Sequence, residues 1–272
     1  MTHLSKIQNL FFTLLLTAGL LTSPVALSGA STLAGIEKSG ELVLGTSANM
    51  PPMTGKNENG KVIGFDIDMA RLMASGMGVD LKIKTMAFNE LLPALEKGEV
   101  DLVISNMTMN PERNMHVAFV GPYMTSGKCV VTKEEGVAKA EAAENLNSPE
   151  IRLAALRGST SAEFVKVLLP KVTLTLVDEY DGAVRLINDD KTGGLLTDYP
   201  ICLSMLQRYP DAGFVSLFSL LSYEPIGIAL PGNDPLYINW TENFLKRLEG
   251  VGVLDELGTR WFGKAVVSTT GE

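Results

Sequence analysis

The amino-acid sequence predicts an α/β fold with a mostly parallel sheet, and three observations support this prediction. Short runs that are apolar, or that alternate apolar and polar residues, are typical of strands. Loops and segments with helical spacing of apolar residues follow these runs, and strands that alternate with helices build parallel sheets. The alternation also restarts in the second half of the chain. The strand-like runs lie at residues 41–46, 79–84, 100–104, 151–156, 172–177 and 195–198.

The composition is that of a globular, acidic protein. The 272 residues are 46% hydrophobic and 20% charged, which allows one large domain or two small ones. A formal net charge of -8 argues against a general nucleic-acid-binding protein, because such proteins carry a basic surface. Cys129 and Cys202 lack metal-ligand spacing, so no metal or other cofactor is expected. The two cysteines could form a disulfide or remain buried thiols, and we favour thiols.

Residues 1–30 have the pattern of a signal peptide. Lys6 precedes an apolar core at residues 10–21, which is too short to span a membrane. Small residues at positions 28–30 predict cleavage near Ala30. We therefore expect an exported protein. The alternative is that these residues form a short N-terminal anchor helix.

The stretch at residues 103–113 carries the first candidate ligand groups. It follows a strand, and Asn110 and Pro111 have the residue types of a helix N-cap and first helical position. Ligands of parallel α/β sheets bind beyond the carboxyl ends of the strands, so Asn106, Thr108 and Arg113 are candidates. A guanidinium can hold a carboxylate with two parallel hydrogen bonds. The alternative is that Arg113 forms a surface ion pair and Thr108 is an ordinary loop residue.

Two later segments also combine polar groups with predicted strand ends. Ser159 and Thr160 follow Gly158 where a helix is predicted to begin, and a helix N-terminus favours anions. Asp198 ends a strand immediately before another predicted helix. For each of these side chains the alternative is ordinary helix capping.

The chain resembles the periplasmic polar-amino-acid-binding proteins, the solute receptors of ABC importers. The resemblance covers nearly all of the chain after residue 30 and rests on seven short motifs in order. They lie at residues 42–52, 60–68, 91–101, 107–113, 121–123, 158–160 and 261–263. It implies a two-lobed periplasmic-binding-protein fold (type II), in which each lobe is a mostly parallel sheet flanked by helices. Two crossing hinge strands join the lobes. The implied boundaries are 33–125 for lobe 1, 126–219 for lobe 2 and 220–272 for the return to lobe 1.

The resemblance also implies roles for the candidate residues. Arg113, with Thr108, Ser159 and Thr160, is expected to hold a ligand carboxylate, whereas Asp198, with Thr108 and the backbone at Asn106, is expected to hold its ammonium group. Met50 and Phe88 are expected to line an uncharged pocket for the ligand side chain, although core packing is the alternative for the methionine. This pocket favours a neutral amino acid over arginine or lysine.

The function implied by the resemblance is that of a non-enzymatic binding protein in the periplasm. We expect a monomer that delivers an amino acid or a close analogue to an ABC transporter permease, with no cofactor and no nucleic-acid partner. One alternative is an enzyme on the same fold that resembles cyclohexadienyl dehydratase. The other is a ligand-binding partner of a membrane sensor.

Overall fold

A computed structural model describes residues 31–140, 143–217 and 222–263. The predicted signal peptide and its cleavage site lie outside the described residues. Within those ranges, none of the helices combines the length and the apolar character that crossing a membrane requires.

The described elements alternate along the chain as predicted. The helices are α1 (Thr32–Ser39), α2 (Phe65–Met77), α3 (Leu91–Glu96), α4 (Pro111–Asn114), α5 (Glu135–Ala138), α6 (Thr160–Leu168), α7 (Tyr180–Asn188), α8 (Tyr199–Arg208), α9 (Pro235–Gly250) and α10 (Val253–Phe262). The strands are β1 (Glu41–Thr46), β2 (Gly55–Lys56), β3 (Val62–Ile63), β4 (Asp80–Thr85), β5 (Leu102–Val103), β6 (Ala118–Ser126), β7 (Lys128–Thr132), β8 (Arg152–Leu156), β9 (Thr173–Val177), β10 (Gly194–Asp198), β11 (Val215–Leu217) and β12 (Glu224–Leu230).

Ten of these strands form two five-stranded sheets, which define the two lobes used below, and β2 pairs antiparallel with β3 in a separate two-stranded sheet. The first sheet has the order β4-β1-β5-β12-β6, and the second has the order β11-β7-β10-β8-β9. In the first sheet β1 is parallel to β4 and β5, and in the second β8 is parallel to β9 and β10. The remaining pairs, which involve β6, β7, β11 and β12, are antiparallel. The predicted two-lobed α/β fold is confirmed, and two of the four strand pairs in each sheet are parallel.

The chain crosses between the lobes at two places that lie side by side. It leaves the first sheet at Ser126 and enters the second at Lys128, and it rejoins the first sheet at Glu224. Ser126 and Glu224 face each other in the antiparallel pair of β6 and β12. The two crossings therefore meet at one point between the lobes. The exact lobe boundaries stay a prediction.

The first lobe packs its sheet against α2, and one glycine fixes where that helix starts. Leu42 and Leu44 of β1 and Ile67 and Met73 of α2 are fully buried in the same core. Gly64 precedes α2 with a φ of 142°, and a Cβ there would overlap the carbonyl oxygen of Met53. Only glycine fits this approach, which brings the start of α2 against the backbone of Met53 and Thr54.

The prediction that the two cysteines are thiols was wrong. Cys129 of β7 and Cys202 of α8 form a disulfide, with their Cα atoms 6.5 Å apart. Their separation of 73 positions in the sequence gave no sign of this contact. It arises because α8 follows β10, and β10 pairs antiparallel with β7. The bond ties β7, which begins at Lys128, to α8, which begins directly after Asp198.

Candidate functional site

The loop after β5 leads into α4, which starts where the sequence pattern predicted. Asn110 caps α4, accepting a hydrogen bond from the N–H of Arg113 at 2.8 Å, and Pro111 is the first helical residue. The loop that carries Asn106 and Thr108 thus has a buried strand at one end and a capped helix at the other. This arrangement holds both side chains at the carboxyl end of the first sheet.

A buried carboxyl group fixes the backbone of Asn106. Asn106 has a left-handed φ of 49°, and its N–H donates to Oδ2 of Asp66 at 2.7 Å. The hydroxyl of Tyr123 donates to the other oxygen of Asp66 at 2.8 Å. Burial raises the pKa of Asp66 to about 7, against the opposing effect of these two hydrogen bonds. Asp66 was not predicted, although it lies within the quoted motif at residues 60–68.

Asn106 reaches across from the first lobe to Asp198 of the second. Its Nδ2 donates to Oδ2 of Asp198 at 2.9 Å, and both side chains are buried. The Oδ1 of Asn106 is buried and has no hydrogen-bond partner among the described residues. Asp198 stands at the N-cap position of α8, but its side chain makes no capping hydrogen bond. The capping alternative for Asp198 is therefore wrong, and its carboxylate faces the cleft between the lobes.

Lys128 is the second partner of Asp198 and was missed by the sequence analysis. Its Nζ donates to Oδ1 of Asp198 at 2.6 Å and to Oγ1 of Thr160 at 2.7 Å. It also forms an ion pair with Oε2 of Glu224 at 3.2 Å. The Lys128 side chain is fully buried. A lysine at the start of an apolar strand gave no local signal for this position.

Glu224 was also missed, and with Lys128, Thr160 and Asp198 it forms a largely buried polar cluster that we call the floor of the cleft. It accepts hydrogen bonds from Thr160 at 3.0 Å and from Ser222 at 2.7 Å. Burial alone would raise the pKa of Glu224, but the Lys128 ammonium and the hydrogen bonds outweigh burial and lower it. The hydroxyls of Thr108 and Thr160 lie 3.3 Å apart, so they join the two lobes.

Arg113 spans the cleft above this floor. Its guanidinium donates to the carbonyl of Thr108 at 2.7 Å and to the carbonyl of Gly158 in the second lobe at 3.0 Å. It lies over the ring of Phe88, 5.7 Å from the centroid. Burial lowers the pKa of Arg113, while Asp198 and Glu224 raise it through their charge. None of the ion pairs among the described residues includes Arg113, so the surface ion-pair alternative is wrong.

The turn before α6 is the part of the second lobe that faces Asn89 of the first lobe. Gly158 has a φ of 74°, and a Cβ there would lie 2.8 Å from the Cβ of Asn89 in the first lobe. Ser159 accepts from the N–H of Ala162 at 3.1 Å, so its side chain does cap α6 as the alternative predicted. Thr160 instead turns its hydroxyl to Lys128 and Glu224.

The structure joins five of the eight predicted residues through direct or shared hydrogen bonds. These are Asn106, Thr108, Arg113, Thr160 and Asp198. Phe88 adjoins them through Arg113, and Ser159 lies beside Thr160 in the chain. Met50 is 1% exposed and belongs to the core of the first lobe, where its backbone pairs with Thr54. Core packing thus accounts for Met50 in this closed arrangement.

A two-lobed fold with charges of both signs facing one another across a closed cleft defines the class of solute-binding proteins. The family model of the bacterial extracellular solute-binding proteins, family 3, matches residues 42–264. The chain belongs to this family, which confirms the resemblance inferred from the motifs.

Named relatives and solved structures agree with this membership. The chain is 30% identical over 205 residues to a glutamine-binding protein of Geobacillus stearothermophilus, covering 74% of this chain and 76% of the relative. It is 24% identical over 237 residues to ABC transporter arginine-binding protein 1 of Escherichia coli K12, covering 86% and 95%. It is similar to the crystal structure of the ancestral amino acid-binding protein AncCDT-1, a precursor of cyclohexadienyl dehydratase. That likeness has a TM-score of 0.79 at 33% identity, over 86% of this chain and 100% of the other.

Proposed function

We propose that this protein captures a small zwitterion, a neutral α-amino acid, between its lobes and delivers it to an ABC permease. The observation that carries the proposal is that half-buried Arg113 of one lobe and buried Asp198 of the other lie close enough for the charge of Asp198 to raise the pKa of Arg113. One fixed cation suits the ligand carboxylate, and one fixed carboxylate suits its ammonium group. Because the two groups come from different lobes, a ligand with both charges stabilises the closed form most.

The unused hydrogen-bonding capacity of the site supports the same ligand. Arg113 has five N–H donors, and its two hydrogen bonds to carbonyls leave others for a carboxylate. The backbone N–H of Thr160 stands at the start of α6, where an anion is favoured, whereas that of Ser159 already donates to the carbonyl of Leu156 at 3.1 Å. The Oδ1 of Asn106 is a buried acceptor that a ligand ammonium would satisfy.

The surroundings of the site support an uncharged ligand side chain. Phe88 is buried beside Arg113 and offers an apolar ring to such a side chain. The family resemblance implies an acid at position 47 in members that take basic amino acids, whereas this chain has the uncharged Ser47 there. The relatives named above bind glutamine or arginine according to their names, so side-chain selectivity differs within the family.

We further propose a monomer in the periplasm with no catalytic activity. The likeness to a precursor of cyclohexadienyl dehydratase keeps the enzyme alternative in view. A catalytic acid needs a raised pKa, whereas the pKa of Glu224 is lowered. The pKa of Asp66 is raised, but both of its oxygens are hydrogen-bonded, one to Asn106 and one to Tyr123. Incubation of the protein with arogenate or prephenate tests this directly, and turnover would replace the binding-protein proposal.

The proposal is tested by a thermal-shift screen of the protein without residues 1–30 against the twenty amino acids, followed by calorimetry. A ligand that binds only the folded state raises the melting temperature. Arg113→Ala should weaken binding by about a hundredfold or more, because a charge-assisted bidentate contact is lost. Arg152→Ala is the matched control, since exposed Arg152 also donates to two carbonyls, those of Asp190 and Lys191. Unchanged affinity in Arg113→Ala would refute the site assignment.

A further inference from the structure

Lys128 brings a second buried cation to the floor of the proposed ligand site. Its ammonium contacts three acceptors, which are Asp198, Thr160 and Glu224, and its side chain has no exposed surface. A buried charge is costly unless it is paired and fully hydrogen-bonded. Lys128 meets this condition only because two carboxylates lie beside it.

The Lys128–Glu224 pair sits where the chain crosses between the lobes. Lys128 is the first residue of β7, and Glu224 is the first residue of β12. The other partners of Lys128, Thr160 and Asp198, belong to the second lobe with it. These contacts therefore need no closure of the cleft, and the ligand meets them already formed.

The formal charges around the cleft sum to zero. Arg113 and Lys128 are positive, and Asp198 and Glu224 are negative. Asp66 is not included in this sum. It is hydrogen-bonded to Asn106 and Tyr123 rather than to these four residues, so at a fixed pH it adds the same charge to every variant below. Without Lys128 the four-residue set would carry one excess negative charge, and without Glu224 one excess positive charge.

We propose that Lys128 and Glu224 determine the specificity of the site by setting its charge to match a ligand of zero net charge. This inference rests on the proposed capture of a zwitterion and deepens it by naming two specificity residues. Lys128 disfavours amino acids with a cationic side chain, and Glu224 disfavours those with an anionic one. Asp198 accepts from Lys128 through Oδ1 and from Asn106 through Oδ2, so Lys128 offsets part of the negative charge that a ligand ammonium would meet there.

A purely structural role for the pair makes a different prediction. Loss of packing or of a hinge contact changes the affinity for every ligand by the same factor. Loss of a charge changes the affinity for cationic, neutral and anionic ligands by different factors. Within a closed cleft, at an effective dielectric constant of about 20, one unit charge acting over several ångströms changes affinity about tenfold or more. A ratio of affinities for two ligands of matched shape therefore isolates the electrostatic role.

The experiment uses calorimetry at one pH with two matched ligand pairs, arginine with citrulline and glutamate with glutamine. Lys128→Met should raise the arginine-to-citrulline affinity ratio about tenfold or more, and Glu224→Gln should raise the glutamate-to-glutamine ratio similarly. The double variant restores a charge sum of zero and should return both ratios to those of the wild type. Lys133→Met is the matched control, because it removes the same charge from an exposed position just after β7.

The two single variants shift selectivity in opposite directions, so one suffices if the other fails to fold. Ratios that stay within about threefold of the wild type in every folded variant overturn the inference. The same holds if Lys133→Met shifts them as much as Lys128→Met, or if neither pair binds any variant. A wild-type protein that binds no zwitterionic amino acid refutes the proposed function instead.

Discussion

At Gly158, the addition of a single methyl group should hinder closure of the cleft without preventing the lobes from folding. It lies in the second lobe with a φ of 74°, directly opposite Asn89 of the first lobe. Gly158→Ala would place a Cβ 2.8 Å from the Cβ of Asn89, closer than two carbon atoms approach. Gly213→Ala is the matched control, because Gly213 is also in the second lobe, has a φ of 69° and has open space around it.

The expected magnitude follows from the two parts of this perturbation. An alanine in the left-handed region costs about 1 kcal/mol at either glycine, and this affects folding alone. The overlap with Asn89 adds a cost on the order of 1–3 kcal/mol, as for overpacking elsewhere, but only when the lobes meet. Ligand binding draws on closure, so the dissociation constant should rise about fivefold to a hundredfold in Gly158→Ala alone.

Calorimetry with the ligand found in the screen measures the affinity, and thermal unfolding without ligand measures the common folding cost. Small-angle scattering with and without ligand reports closure directly. We expect equal melting temperatures for the two variants without ligand and a loss of affinity in Gly158→Ala only. Equal affinities in both variants would show that the contact between Gly158 and Asn89 does not form in the ligand-bound protein, and the closed geometry described above would be wrong.

Two further predictions concern stability. The raised pKa of Asp66 means that the folded protein binds a proton more tightly than the unfolded chain, so this group's stabilisation is complete below pH 3.8 and lost as pH rises to about 7. Asp66→Asn should abolish that decline, which is on the order of 4 kcal/mol, in denaturant titrations between pH 4 and 8; an unchanged profile would assign it elsewhere. Replacing Cys129 and Cys202 by alanine should lower the unfolding free energy by about 4 kcal/mol, as expected for a loop closed over 73 residues. An equal loss of unfolding free energy in the reduced wild-type protein would confirm that the disulfide is responsible. If neither the double variant nor the reduced protein lost stability, the prediction would be refuted.

Local chemistry was enough to predict the elements that present the site. The Asn110-Pro111 pair predicted the start of α4, and that helix begins where expected because the side chain caps it. Strand ends followed by small or polar residues predicted the positions of Asn106 and Asp198, which meet across the cleft. These features could be inferred because each depends on neighbours within a few residues. The capping alternative, in contrast, was correct for Ser159 and wrong for Asp198, since only tertiary contacts decide between them.

Lys128 and Glu224 could not be found this way, because strand register brings them together. Glu224 reaches the cleft through the pairing of β12 with β6, in which it faces Ser126, two residues before Lys128. Shifting that register by one residue would turn Glu224 to the other face of the sheet. The register is held by the buried residues of β12, such as Ile226 and Ile228, which carry no chemistry of their own. The charge of the site thus depends on core packing in the first lobe, so substitutions in β12 that shift its register should alter ligand selectivity as well as stability.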